Sequence, residues 1–218
     1  IQRRHQKILE EGPWLSAEIR NKIGEKVVAG AKAVGYCGLA TFEFLRDSRG
    51  DFYFLEVNPR VQVEHTVTEM ITGTDLVSMG IRVAAGEPIK LIQDDIQIRG
   101  HAIQVRLNAE NPVTLAPSPG KLWECHWPGG PGVRIDTHAH TGYDMPASFD
   151  SLLAKLIVWA PTRDESISKL NAALREIKLL GVDTLIPLHL AILSENDFRK
   201  RNITIHYLEE HPDLLSGG

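Results

Sequence analysis

Residues 52–65, FYFLEVNPRVQVEH, most strongly limit the structure that this chain can adopt. Side chains of an extended strand alternate between two faces, so this segment separates polar from apolar residues. Pro59 removes a hydrogen-bond donor, which predicts that the strand leaves its sheet there. An exposed strand shows the same alternation but does not require carboxylates, amides and a guanidinium together. The polar face carries Glu56, Asn58, Arg60, Gln62 and Glu64; the apolar face carries Leu55, Val57, Val61 and Val63.

A second segment predicts the partner strand. Residues 39–45, LATFEFL, place Glu43 on a polar face, and residues 46–51, RDSRGD, have the composition of a turn, which together predict a hairpin. If Glu43 and Glu56 share a face, their like charges destabilise the pairing. A divalent cation between them removes this conflict, and carboxylates that leave room for water and phosphate oxygens suit Mg²⁺. From spacing alone, a solvated face of surface ion pairs is an equally supported alternative.

These residues resemble the active-site segment of biotin carboxylase, the ATP-grasp component of the biotin-dependent carboxylases. The resemblance covers residues 2–211. Carbamoyl phosphate synthetase and other ATP-grasp ligases share the E-x-N-P-R core but are not expected to have Q-V-E-H after it, so this segment favours the carboxylase. The matching residues are Glu43 with Glu56, Glu56-Val57-Asn58-Pro59-Arg60, Gln62-Val63-Glu64-His65 and Thr68-Glu69-Met70.

The resemblance implies an α+β fold in two domains. Residues 1–92 correspond to the C-terminal part of an ATP-grasp domain, an antiparallel sheet with helices. Residues 93–218 correspond to the α+β C-terminal domain of biotin carboxylase. The family's N-terminal nucleotide-binding half and glycine-rich lid lie before residue 1, so we expect a fragment that binds ATP poorly and turns over little by itself.

Start and stop signals predict the main helices. Two of them, residues 16–35 and 75–85, are expected to bury an apolar stripe. A third, capped by Thr162 and Glu165, is expected to run to Gly181. Thr184 is expected to cap a fourth, with Pro187 in its first turn, and residues 203–207 are predicted to form a final strand.

The resemblance also implies roles for individual residues. Magnesium or manganese is expected on Glu43, Glu56 and Asn58. Bicarbonate is expected on Lys7, Arg60, Gln62 and Val63, with Glu64 as the general base. Arg106, in an R-x-N-A-E-x-P motif, is expected to bind biotin and stabilise its enolate form. The expected ATP contacts are Gln2, His5, Leu45, Leu55 and Ile205, although a solvated chain end (Gln2, His5) or ordinary core (the three apolar residues) is the alternative.

The implied reaction has two steps. ATP phosphorylates bicarbonate to carboxyphosphate, and the CO₂ released from it adds to N1 of biotin on a carrier protein. The implied partners are a biotin carboxyl carrier protein or domain, a carboxyltransferase component of an acyl-CoA, pyruvate or related carboxylase, and a second copy bound through the C-terminal domain. Two alternatives stay open: another ATP-grasp ligase, such as a carbamoyl phosphate synthetase half, or a non-catalytic dimerisation or docking unit.

Composition limits the class of partner and the cellular compartment that are expected for this chain. The net charge is −4 and there is no basic run, which argues against a nucleic-acid partner. No apolar run is long enough for a membrane span. Two cysteines form no disulfide framework, which favours a reduced compartment, the cytoplasm or a mitochondrial matrix.

Overall fold

The computed structural model of this 218-residue chain describes residues 1–3 and 5–215 and contains two compact units. Unit 1 contains Ile1–Gly12 together with the chain from Gly100 onward, and unit 2 contains Pro13–Arg99. The predicted domains, 1–92 and 93–218, stay a prediction, and residues 216–218 of the second lie outside the described residues.

The helices and strands follow in chain order. The strands are β1 (Gln2–Arg3), β2 (Gln6–Lys7), β3 (Leu9–Gly12), β4 (Thr41–Arg46), β5 (Phe52–Asn58), β6 (His101–Asn108), β7 (Gly120–Lys121), β8 (Glu124–His126), β9 (Val133–Thr137), β10 (Asp144–Met145), β11 (Leu152–Ala160) and β12 (Lys178–Leu180). The helices are α1 (Ala17–Ala33), α2 (His65–Thr72), α3 (Leu76–Ala84), α4 (Arg163–Glu176), α5 (Ile186–Ser194), α6 (Asn196–Lys200) and α7 (Tyr207–Glu210), with 3-10 turns at Gln93–Asp95 and Pro212–Leu215. None of the described helices has the length and apolar content that crossing a membrane requires.

A four-stranded antiparallel sheet organises unit 1, in the order β3-β6-β11-β9. The central strands β6 and β11 are buried on both faces, and α4 packs against them. Apolar side chains from the sheet, α4 and α5 form one core cluster. Burial of these side chains is the main source of stability for the unit.

A buried ion-pair network joins β3 to α4 and β6. The guanidinium of Arg163 donates to both carboxylate oxygens of Glu11, at 2.7 and 3.0 Å, and His101 Nε2 lies 2.8 Å from Glu11 Oε2. Arg163 also donates to the carbonyl oxygens of Phe198 and Arg199 at 2.9 Å. Burial acts to raise the pKa of Glu11, but the hydrogen bonds from His101 and Arg163 outweigh it and lower that pKa.

Unit 2 is built on the β4–β5 hairpin and three helices. Pairing in the hairpin aligns Glu43 with Glu56, and the register shifts between Glu43 and Phe44. The predicted hairpin is therefore confirmed, and β5 ends at Asn58, just before Pro59. Helix α1 begins after Ser16, whose hydroxyl oxygen accepts the Ile19 N–H at 3.4 Å.

Several predictions about helices and strands are wrong. Neither α1 nor α3 contains a buried residue, because a two-stranded ribbon offers little surface to cover an apolar stripe. The capping box of Thr162 and Glu165 is confirmed, but α4 ends at Glu176 rather than Gly181, since Lys178–Leu180 pairs with β8 instead.

The C-terminal predictions are corrected as well. Leu185, not Thr184, caps α5, although Pro187 does lie in the first turn. The segment at residues 203–207 is not a strand, and Tyr207 begins helix α7. Burial of Tyr207 and Leu208 in this turn of helix overrides the β propensity of the sequence.

Candidate active site

Two carboxylates of unit 2 converge on one amide group. The Nδ2 atom of Asn58 donates to Glu43 Oε1 at 3.1 Å and to Glu56 Oε1 at 2.8 Å. Glu43 and Glu56 therefore lie on the same face of the hairpin, as the alternation predicts. A donor group placed between two carboxylates marks a position of negative potential, where a cation is stabilised. Two carboxylates and an amide are hard oxygen ligands of the kind that Mg²⁺ prefers, so this donor set fits the metal.

Gln62 extends this cluster. Its Nε2 atom donates to Glu43 Oε1 at 2.6 Å, and the residue is buried. Its Oε1 atom is also buried and has no hydrogen-bond partner among the described residues. A buried acceptor without a donor costs free energy, on the order of 1–3 kcal/mol.

Arg60 lies beside Asn58 on the connection between β5 and α2. Its Nη2 atom donates to Asn58 Oδ1 at 3.4 Å, and its Nη1 atom donates to the Val61 carbonyl oxygen at 3.2 Å. The side chain is exposed, which leaves it accessible to a small ligand. Glu64 is half-buried at the other end of the connection, where its backbone carbonyl accepts the Val67 N–H at the start of α2. Val63, between Gln62 and Glu64, is half-buried.

The strands β1 and β2 of unit 1 carry the next predicted residues. Lys7 pairs with Gln2 across these strands, and Gln2 Nε2 donates to the Ile205 carbonyl oxygen at 3.2 Å. Gln2, Lys7 and Ile205 therefore lie together. His5 is exposed in the turn between the strands and has a positive φ of 64°.

The predicted apolar ATP contacts are not core residues. Leu45, Leu55 and Ile205 are 42, 53 and 53% exposed. Large apolar side chains gain free energy when they are covered, so each of these three positions can accept an apolar partner. Ordinary core packing, the alternative for these three residues, is wrong.

Arg106 is paired inside unit 1. Its Nε and Nη2 atoms donate to Glu10 Oε1 at 2.8 and 2.6 Å. Gln104, fully buried on the same face of β6, donates from Nε2 to Glu10 Oε2 at 3.1 Å. The third polar residue of this face, Asn108, donates to Ser151 Oγ at 2.9 Å. The sequence identifies Arg106 but not Glu10, because an acidic residue in a charged stretch carries no spacing signal for a partner 96 residues away.

A fully buried histidine supports the backbone of the same strand. His189 Nε2 lies 2.9 Å from the Arg106 carbonyl oxygen, which only accepts, so Nε2 carries the proton. Nδ1 of His189 is buried without a hydrogen-bond partner among the described residues. Burial lowers the pKa of His189 from 6.5 to about 4, and the hydrogen bond to Arg106 only partly opposes this. The ring is therefore neutral at pH 7.

We expect His189 to make the stability of this fold depend on pH. Between pH 6.5 and about 4 the unfolded chain binds a proton that the folded chain does not bind, so stability falls as pH decreases through this range. The loss is on the order of 2–3 kcal/mol. His189→Gln keeps a donor for the Arg106 carbonyl and removes this ionisation. Urea unfolding at pH 7 and 4.5 should show a smaller pH dependence in the variant, and equal dependence in both proteins contradicts the assignment.

Two protein-family models match most of this chain between them. The family model described as "Biotin carboxylase C-terminal domain" matches residues 104–210, and the model described as "Carbamoyl-phosphate synthase L chain, ATP binding domain" matches residues 1–92.

Two curated relatives and one solved structure are representative. The chain is 49% identical to "Biotin carboxylase" of Allochromatium vinosum and covers 47% of it with 96% of its own length. It is 47% identical to "Biotin carboxylase, chloroplastic" of Arabidopsis thaliana, covering 41% of that protein with 99% of its own length. The solved structure is the biotin carboxylase domain dimer of Hydrogenobacter thermophilus 2-oxoglutarate carboxylase, in complex with MgADP, ADP and bicarbonate. It superposes on this chain with a TM-score of 0.96 and 45% sequence identity, and the match covers 99% of this chain and 48% of that one. The chain thus spans about half the length of the relatives that it matches.

Proposed function

Because this chain belongs to the biotin carboxylase family, we propose that it forms part of an ATP-dependent ligase that carboxylates biotin. The convergence of Glu43 and Glu56 on one amide group carries this proposal. ATP transfers its γ-phosphoryl group to a bicarbonate oxygen, which yields ADP and carboxyphosphate. Carboxyphosphate releases phosphate and CO₂, and CO₂ adds to N1 of biotin in exchange for the N1 proton.

Glu43, Glu56 and Asn58 hold Mg²⁺ or Mn²⁺ in this proposal. A metal ion held by these residues would neutralise negative charge on the phosphate oxygens during phosphoryl transfer. The two carboxylates supply the negative charge, and rotation of the Asn58 amide brings Oδ1 to the same position.

Bicarbonate is bound by Arg60, Gln62, Val63 and Lys7. The planar guanidinium of Arg60 matches two oxygens of a planar anion, which a lysine ammonium does not. Backbone N–H groups at Gln62 and Val63 donate to another oxygen of the anion. Glu64 takes the bicarbonate proton as general base.

Arg106 binds biotin in this proposal. Its guanidinium stabilises the negative charge that develops on the ureido oxygen when N1 loses its proton. ATP contacts are proposed for Gln2, His5 and Ile205 of unit 1 and for Leu45 and Leu55 of unit 2. The three apolar side chains among them are exposed.

The proposed partners follow from the chemistry of the product and from the relatives. Carboxylated biotin must be delivered to an acceptor, so we propose a biotin carboxyl carrier protein or domain and a carboxyltransferase component. The Hydrogenobacter thermophilus domain is described as a dimer, which supports a homodimer through the C-terminal part of this chain. We propose the cytoplasm, or the mitochondrial matrix in a eukaryote, as its location.

One finding favours a second candidate, a carbamoyl phosphate synthetase half: the family model that matches residues 1–92 has that name. The C-terminal model and the curated relatives favour the carboxylase instead. Biotin-dependent phosphate release separates the two activities.

The test uses the full-length enzyme that contains this sequence. Glu56→Gln is expected to lower phosphate release from Mg-ATP, bicarbonate and biotin by about 10²-fold, since it removes half of the carboxylate charge that attracts the metal. It should also raise the Mg²⁺ concentration needed for half-maximal rate. Glu25→Gln, an exposed glutamate in α1, is the matched control with an unchanged rate. An unchanged Mg²⁺ requirement in Glu56→Gln, or phosphate release that biotin does not stimulate in the unaltered enzyme, contradicts the proposal.

A further inference from the structure

Glu10 holds the guanidinium of Arg106 from one side. A single carboxylate oxygen, Oε1, accepts from both Nε and Nη2, at 2.8 and 2.6 Å. The side chains of Arg106 and Glu10 are 14 and 11% exposed, so this pair is shielded from most of the solvent. Charge-assisted hydrogen bonds between shielded groups are strong and restrict the orientation of both side chains.

Other contacts fix Glu10 and the strand that carries Arg106. Gln104 donates to the second oxygen of Glu10, and the Arg106 N–H donates to the Ile8 carbonyl oxygen at 2.9 Å. His189 donates to the Arg106 carbonyl oxygen from the other side. Arg106 is thereby held at its backbone by Ile8 and α5 and at its guanidinium by Glu10.

We propose that Glu10 is a positioning residue for Arg106, which orients the guanidinium toward the ureido oxygen of biotin. This inference rests on the proposed function, in which Arg106 meets the charge that develops on that oxygen. An arginine side chain has many rotamers, and a donor that is already oriented avoids the cost of ordering it during the reaction. Glu10 itself does not touch biotin, bicarbonate or ATP in this assignment.

A purely structural ion pair makes a different prediction. Replacement of both partners of a shielded ion pair by apolar residues often changes the stability of a protein little. Removal of only one partner mainly destabilises the fold. In that case Glu10→Gln lowers the melting temperature and affects all steps of the reaction equally. A positioning role affects the step in which biotin reacts and leaves the phosphorylation of bicarbonate intact.

The experiment compares five variants of the full-length enzyme: Glu10→Gln, Glu10→Asp, Gln104→Met, Arg106→Ala and, as a charge-matched control, Glu176→Gln. Glu176 is half exposed and lies 3.6 Å from the exposed ring of His126. Two rates are measured: carboxylation of free biotin, and phosphate release from ATP and bicarbonate without biotin.

Glu10→Gln is expected to lower kcat for biotin carboxylation by about 10- to 100-fold, while the biotin-independent rate and the KM for ATP stay within about twofold. Glu10→Asp should recover part of the loss, because it restores the carboxylate at a shorter reach. Glu176→Gln should match the unaltered enzyme. Gln104→Met, which keeps Glu10 but removes its second hydrogen bond, should lower the same kcat by a smaller factor and serves as the test if Glu10→Gln does not fold.

Failure of the inference and failure of the proposed function are distinguishable. If Arg106→Ala carboxylates biotin at the ordinary rate, the role of Arg106 in the proposed function is wrong. If Arg106→Ala is impaired but Glu10→Gln and Gln104→Met are not, the positioning role is wrong. Equal loss of both rates in Glu10→Gln also overturns it, since that result indicates a structural pair.

Discussion

Replacement of Arg60 by alanine in the full-length enzyme is expected to lower biotin carboxylation by about 10²- to 10³-fold, or about 3–4 kcal/mol of transition-state stabilisation. Arg60 donates to the Asn58 side chain and to the Val61 carbonyl, so its guanidinium is already oriented beside Glu43 and Glu56. In the proposed function this fork holds bicarbonate during phosphoryl transfer. Arg60→Lys keeps the charge without the planar fork, so it should recover only a small part of the rate.

The matched control for this prediction is Arg82→Ala. Arg82 is an exposed arginine in α3 whose contact with Glu87 is 3.7 Å long. Initial rates at varied bicarbonate should show a raised KM and a lowered kcat for Arg60→Ala, and neither change for Arg82→Ala. A rate for Arg60→Ala within about twofold of the unaltered enzyme removes Arg60 from the mechanism.

Replacement of Arg163 by methionine is expected to lower the free energy of unfolding by about 3–5 kcal/mol. The variant leaves the carboxylate of Glu11 buried beside His101 without its bidentate partner, and it also removes the donors to the carbonyls of Phe198 and Arg199. The ring of Phe198 loses a cation 4.8 Å from its centroid. These losses are concentrated in unit 1.

Chemical denaturation of Arg163→Met and of the double variant Arg163→Met with Glu11→Gln measures this effect. The double variant should recover part of the stability, because the buried charge is gone. The pKa of Glu11 is lower in the folded chain than the value of 4.5 in the unfolded chain. Ionised Glu11 therefore stabilises the fold above pH 4.5, and this stabilisation is lost as the pH falls through the pKa of the folded state. The free energy of unfolding should therefore fall less on acidification in Arg163→Met than in the unaltered protein. An unchanged free energy of unfolding in Arg163→Met at neutral pH contradicts the role of the network.

The sequence predicts the polar cluster of unit 2 well because its geometry is local. A strand has a fixed two-residue period, and a hairpin aligns residues that are close in sequence. Glu43, Glu56 and Asn58 therefore lie together as the pattern predicts. The family resemblance is confirmed by the comparisons, while the role of each residue stays a proposal.

The polar network of unit 1 is not predictable in the same way. The partners of Arg106 and Arg163 are Glu10 and Glu11, which lie 96 and 152 residues away along the chain. No periodicity joins such residues. The pairing of β3 with β6 brings Glu10 beside Arg106, and the packing of α4 brings Arg163 to Glu11. The exposed positions of Leu45 and Leu55 are similarly invisible to pattern analysis, because alternation indicates a face but not what covers it.

The separation between β3 and β6 has a consequence for synthesis on the ribosome. Glu10 leaves the exit tunnel long before Gln104, its partner 94 residues later, has been made. All of unit 2 is translated in the interval, so the first strand of the main sheet waits as an unpaired edge. Completion of the main sheet therefore has to wait until unit 2 has been made.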